Sequence, residues 1–147
     1  MDAAFTQTFC VARGEFDTAG DASSKIKAVL KKLGISSQVI RDVAIAAYES
    51  EMNLIIHSIG GTMRLEVSPQ EILLISEDDG PGIADIALAL TEGYSTAPES
   101  VRNLGFGAGM GLPNIRRHSH KFHIESEPGK GTRIEMKYYL NGASGIT

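Results

Sequence analysis

At 147 residues, with 42% hydrophobic residues and a formal net charge of −4, the chain has the size of one domain with one packed core. The acidic balance argues against a general nucleic-acid binder, which neutralises phosphates with a basic excess, and leaves only local basic spots such as Arg116-Arg117. The N-terminus lacks a basic leader and no apolar run approaches the ~18 residues of a membrane span, so a soluble, cytoplasmic protein that binds neither nucleic acid nor membrane is expected.

Phe5 to Val11 alternates apolar and polar residues and predicts a half-buried strand. It contains the single Cys10, which is read as a core residue without a redox role. Ile26, Val29, Leu30 and Leu33 recur at i, i+3, i+4 and i+7, and Gly34 follows, which predicts an amphipathic helix from about Ala22. Ser36 and Ser37 can cap a longer helix that runs to about His57 and stops before Gly60-Gly61. Thr62 to Val67 and Glu71 to Ser76 are short strands joined across Ser68-Pro69-Gln70. The stretch from Ala84 to Arg102 starts helical and loosens through Gly93, Ser95, Thr96 and Pro98; a helix resumes from Met110 to about His118. Phe122 to Ser126 and Thr132 to Leu140 form a last hairpin, and Asn141 to Thr147 is read as a frayed tail. Strands joined mostly by hairpins, with helices inserted between them, predict an α+β fold: a two-layer sandwich whose mainly antiparallel mixed sheet is covered by helices on one face.

Three motifs carry chemistry. Glu49, Asn53 and His57 lie at i, i+4 and i+8 and share one face of the second helix, whereas Glu51 falls roughly 200° from Asn53 and cannot join them. Glu77-Asp78-Asp79-Gly80-Pro81-Gly82 puts acidic residues at the end of an aliphatic strand and then asks for a turn that suits glycine. Gly105 to Leu112 reads as a glycine-rich hinge running into a helix N-terminus, where free N–H groups and the helix dipole favour an anion such as phosphate. Together they suggest a nucleotide pocket with a wall for the base and a wall for the phosphates. An asparagine amide beside phosphates can ligate Mg²⁺, and a neighbouring carboxylate can take a proton from a nucleophile.

Glu49-x-x-x-Asn53, Asp78-x-Gly80-x-Gly82 and Gly107-x-Gly109-x-Gly111-Leu112, closed by Gly129-Lys130-Gly131-Thr132, resemble the N box, the two glycine boxes and the final Gly-Thr element of the GHKL (Bergerat-fold) ATPase superfamily. That superfamily includes gyrase, Hsp90, histidine kinases and MutL. Within that superfamily, a stand-alone domain of this size is similar to the bacterial anti-sigma factors and switch-type serine/threonine kinases. The resemblance implies one ATP-binding kinase domain over residues 1–140 with a mobile ATP lid from about Ala84 to Phe106, and ATP and Mg²⁺ as cofactors. It implies that Asp78 accepts a hydrogen bond from the adenine amino group with Thr132 in support, and that Gly80 and Gly82 let the backbone pass close to the base. Asn53 would hold Mg²⁺, Glu49 would be the general base, and Gly107, Gly109, Gly111 and Leu112 would border the phosphates. His57 is expected to cap or pack the helix end, Arg102 either reaches the γ-phosphate or is solvated, and Lys130 serves its turn. The implied partner is a small STAS-type antagonist protein phosphorylated on Ser or Thr, a sequestered sigma factor, or both; homodimer formation stays open. A histidine-kinase fragment is disfavoured by the lack of a phosphoacceptor helix. His118, His120 and His123 depart from the family pattern; rings alternating across a helix-to-strand junction do not converge, so they are read as surface histidines and not as a metal site.

Overall fold

The computed structural model describes residues 5–14, 16–57, 60–80, 82–83, 86–90 and 111–140, with the side chains of residues 16, 57, 87 and 88 outside that set. Of the proposed lid, from about Ala84 to Phe106, only residues 86–90 are described; the rest of it, Arg102 included, lies outside the described residues, as do Gly107, Gly109, the C-terminal tail and the side chain of His57. Five strands, β1 (Phe5–Ala12), β2 (Gly60–Val67), β3 (Glu71–Asp78), β4 (Lys121–Glu127) and β5 (Gly131–Tyr139), form a sheet in the order β1-β2-β3-β5-β4. Every adjacent pair is antiparallel. The α+β reading holds, and the one crossover in the order arises because β5 inserts between β3 and β4, which run in the same direction. The crossover segment carries a short helix α3 (Ile86–Ala89) and helix α4 (Gly111–Arg117).

Helices α1 (Asp21–Lys32) and α2 (Ser37–His57) precede β2. The local chemistry explains their ends. Ser36 Oγ accepts from Val39 N–H at 3.4 Å and so caps α2. Leu33, Gly34 and Ile35 donate their N–H groups back to Val29, Lys31 and Leu30 carbonyls, closing α1. The β2–β3 turn is held by Ser68, whose N–H reaches Glu71 O at 2.9 Å and whose Oγ accepts from Glu71 N–H at 3.2 Å.

Period-2 alternation sends Phe9 and Val11, Met63, Leu65 and Val67, Ile72 and Leu74, and Ile134, Met136 and Tyr138 to one face, where they are buried. The apolar stripes of α1 (Ile26, Leu30) and α2 (Val39, Val43, Ala46, Ala47, Leu54) cover that face and complete the core. The opposite face carries Arg64–Glu66, Arg133–Glu77 and Lys137–Glu71 ion pairs at 2.7, 3.2 and 3.6 Å. Cys10 belongs to that face and is exposed, which corrects its reading as a core residue. Its neighbours Phe9 and Val11 take the inward positions of an edge strand, so the pleat turns Cys10 outward.

Candidate functional site

The first glycine box sits where β3 leaves the sheet. Asp78 is the last residue of β3 and pairs in register with Thr132 at the start of β5. Its Oδ1 accepts from Gly80 N–H at 2.9 Å, which folds the chain back around the carboxylate. Burial pushes the Asp78 carboxyl above the usual carboxylate range; backbone hydrogen bonds from Gly80 and Thr132 pull it down in part, and Asp79 adds to the upward push. A Cβ on Gly80 would meet nothing within 4 Å among the described residues, whereas a Cβ on Gly82 would run into the backbone of Glu127 and Pro128 in the β4–β5 turn. Gly82 also has φ +83°, so both conformation and packing select glycine there.

Ser126, which carries no motif signal, ties this corner together. Its Oγ accepts from Ile83 N–H at 2.6 Å and lies 2.8 Å from Thr132 Oγ1 and 3.1 Å from the Gly131 carbonyl. The Thr132 hydroxyl is thus engaged with Ser126, and the backbone of Thr132 meets Asp78. Lys130 serves its turn: its N–H donates to Glu127 O at 2.9 Å, and its Nζ lies 3.5 Å from Glu127 Oε1.

The residues of the N box and the start of the second glycine box meet where α2 packs against α4. Pro113 fits in the first turn of α4 because the N–H it lacks would have no intrahelical partner. Gly111 begins α4 directly above the α2 polar face: a Cβ there would stand 3.0 Å from Asn53 Oδ1 and 3.6 Å from Glu49 Oε1. A side chain at position 111 would therefore crowd Asn53 Oδ1 and stand in van der Waals contact with Glu49. Leu112 is buried and its side chain packs into the core. Asn114 Nδ2 donates to Glu49 Oε2 at 3.3 Å, and Arg117 Nη1 donates to Asn114 Oδ1 at 3.3 Å. Glu49 and Asn53, predicted to share a face, do come together at Gly111.

Glu51 faces the other way and is 3% exposed. Its carboxylate accepts from the N–H groups of Gly20 at 3.1 Å, Ala22 at 3.3 Å and Ser23 at 3.0 Å, at the N-terminus of α1. Gly20 is the N-cap of α1 and offers no side-chain cap. A helix start preceded by glycine was the available sequence signal that the cap comes from elsewhere. Of the three histidines, His123 is a surface residue beside Glu125 at 3.2 Å and His120 accepts from Tyr139 N–H at 2.9 Å. His118 departs from the surface reading: it is part-buried, with Nδ1 3.1 Å from Asp42 Oδ1 on α2. Among the described residues no group of three or more His, Cys, Asp or Glu is placed to hold a metal ion.

The described residues thus present a half-buried carboxylate at the end of β3 and an amide–carboxylate pair where α2 meets α4. The chain belongs to the histidine kinase-, DNA gyrase B- and HSP90-like ATPase family, whose pattern matches residues 38–141. Within it, the relatives place the chain in the group of anti-sigma factors and switch-type kinases. It is 33% identical over 128 residues to the anti-sigma F factor of Clostridium kluyveri, covering 84% of this chain and 87% of that one. It is 30% identical over 116 residues to the serine/threonine-protein kinase RsbT of Bacillus subtilis, covering 76% of this chain and 81% of the relative. The anti-sigma F factor of Thermoanaerobacter pseudethanolicus is 30% identical over 124 residues, covering 81% and 83% of the two chains. ATP binding follows from the family, and no helix among the described residues is long and apolar enough to cross a membrane.

Proposed function

We propose that residues 1–140 form one ATP-dependent protein serine/threonine kinase domain of the switch type, which transfers the γ-phosphoryl group of ATP to a Ser or Thr of a small STAS-type antagonist protein. The observation that carries this reading is the meeting of Glu49 and Asn53 beside Gly111. A pocket that only held nucleotide would not need a carboxylate on the phosphate side.

Asp78 accepts the adenine amino hydrogen, and Gly80, bound to the Asp78 carboxylate through its N–H, lets the backbone pass close to the base. Ser126 and Thr132 hold the Asp78 corner in place. The amides of Gly107, Gly109 and Gly111 and the backbone of Leu112 border the phosphates. The donor set fits Mg²⁺: the Asn53 amide oxygen is a hard ligand, and waters and phosphate oxygens complete such a shell. Mg²⁺, when bound, neutralises charge on the transferring group. Glu49 takes the proton from the partner's hydroxyl as its oxygen attacks the γ-phosphorus and ADP leaves. Both the protein and its partner are proposed to work in the cytoplasm.

The anti-sigma names of several relatives favour a second reading, in which the chain sequesters a sigma factor in a nucleotide-dependent way and transfer is incidental. Radiolabelled ATP with a candidate STAS partner separates the two. Glu49→Gln should keep nucleotide and partner binding and lose transfer by about 10²–10⁴-fold, the usual contribution of a general base. Transfer that persists in Glu49→Gln refutes the assigned base, and tight sigma-factor binding without phosphorylation of any STAS candidate favours sequestration.

A further inference from the structure

Gly111 and Asn114, three residues apart on α4, both meet the polar face of α2, and Arg117 follows three residues after Asn114. Asn114 Nδ2 donates to Glu49 Oε2, while Glu49 Oε1 lies on the side of Gly111. Arg117 donates in turn to the Asn114 amide oxygen. The donors therefore run in one direction, from guanidinium to amide to carboxylate. An amide oxygen occupied by a cation-borne donor fixes which end of the Asn114 side chain faces Glu49.

We propose that Asn114 is a positioning residue for Glu49: it pins one carboxylate oxygen and leaves the other directed at the phosphate side of the cleft. The inference rests on the reading of Glu49 as the base. Because Gly111 and Asn114 belong to one turn of α4, the element that borders the phosphates also sets the orientation of the base. A carboxylate free to rotate about its last torsion would spend much of its time misaligned, and small misplacements of a reacting group cost up to about 10²-fold in rate.

The test compares Asn114→Ala and Asn114→Asp. Asn114→Ala should lower transfer at saturating ATP roughly 10-fold with the KM for ATP and the Kd for ADP nearly unchanged, within the penalty expected for lost alignment. Asn114→Asp is nearly isosteric and pairs well with Arg117 three residues on, so a packing role predicts that it is the milder variant. The positioning role predicts the reverse, because the new carboxylate repels Glu49 and donates nothing. A second readout needs no partner: in ¹⁵N-labelled protein the Asn114 side-chain NH₂ signal should move when Glu49 is changed to Ala. An Asn114→Asp protein as active as wild type, or an NH₂ signal indifferent to Glu49→Ala, overturns the proposal. Glu49→Gln run in parallel keeps the two ideas apart. If it transfers normally the base assignment fails, whereas an inactive Glu49→Gln beside a fully active Asn114→Asp defeats positioning alone.

Discussion

Glu51 offers the sharpest test of how the fold is held, because one buried carboxylate serves three backbone donors from another helix. Glu51→Ala removes the acceptor for Gly20, Ala22 and Ser23 N–H at 3.0–3.3 Å. Hydrogen bonds to a charged group contribute about 1.5–3 kcal/mol each, but water entering the vacated space recovers part of that, and the carboxylate's own desolvation is relieved. Loss of an N-cap costs about 0.5–2 kcal/mol, and loss of a negative charge at a helix N-terminus about 0.3–1 kcal/mol more. The expected net destabilisation is about 2–4 kcal/mol, which for a chain of this size lowers Tm by about 4–16 °C. Glu51→Gln keeps one acceptor oxygen and turns an NH₂ toward the remaining donors, so it should cost about half as much. Urea unfolding followed by circular dichroism measures both variants. Hydrogen exchange should show lost protection at Gly20, Ala22 and Ser23, whose amides are the ones released. The exposed pair Arg64–Glu66 supplies the control, since Glu66→Ala should shift stability by less than about 1 kcal/mol. A Glu51→Ala protein within about 0.5 kcal/mol of wild type would refute the cap as a source of stability.

Asp78→Asn should weaken ADP binding by about 1–3 kcal/mol, or roughly 5- to 150-fold, and by more than Glu49→Gln does; equal affinity in calorimetry removes the adenine assignment. The Asp78 carboxyl is raised above its unfolded value, so the folded state holds this proton to higher pH and pays for ionisation as pH rises through the raised value. Nucleotide has the opposite preference, since adenine donates to the ionised form; affinity should therefore fall as acidification reaches that raised value, and the fall should be missing in Asp78→Asn after correction for the nucleotide's own titration. Gly111→Ala should impair Mg²⁺-dependent ATP binding and transfer, because its Cβ would sit 3.0 Å from Asn53 Oδ1; unchanged Mg²⁺ dependence in titration calorimetry would contradict the close approach. Ser126→Ala should cost about 1–3 kcal/mol in urea unfolding and weaken ADP binding, since it strands the Ile83 N–H; a fully stable variant with wild-type affinity would show that Ser126 does not hold the Asp78 corner.

Much of this molecule is local in origin. The 3.6-residue spacing of Ile26, Leu30, Val39, Val43 and Ala47 and the alternation in Met63 to Val67 specify helices and strands without reference to distant residues. Glu49 and Asn53 share a face because four residues nearly complete a helical turn, and the glycine boxes announce themselves by residue type. The order of strands is different: a hairpin rule pairs β2 with β3 and β4 with β5, but only packing of the completed layers inserts β5 next to β3. Cys10 shows the same limit, since alternation defines two faces and the helical layer decides which of them is inside. Glu51 looks like one more polar residue on α2 until α1 docks with its uncapped N-terminus against it. Asn114, Ser126 and His118 gain their partners from segments 65, 43 and 76 residues away. Periodicity and motif are properties of neighbours along the chain, and so the sequence alone determined the elements and the residue types of the site. A hydrogen bond between remote side chains depends on where two elements meet, and only the tertiary structure decided that.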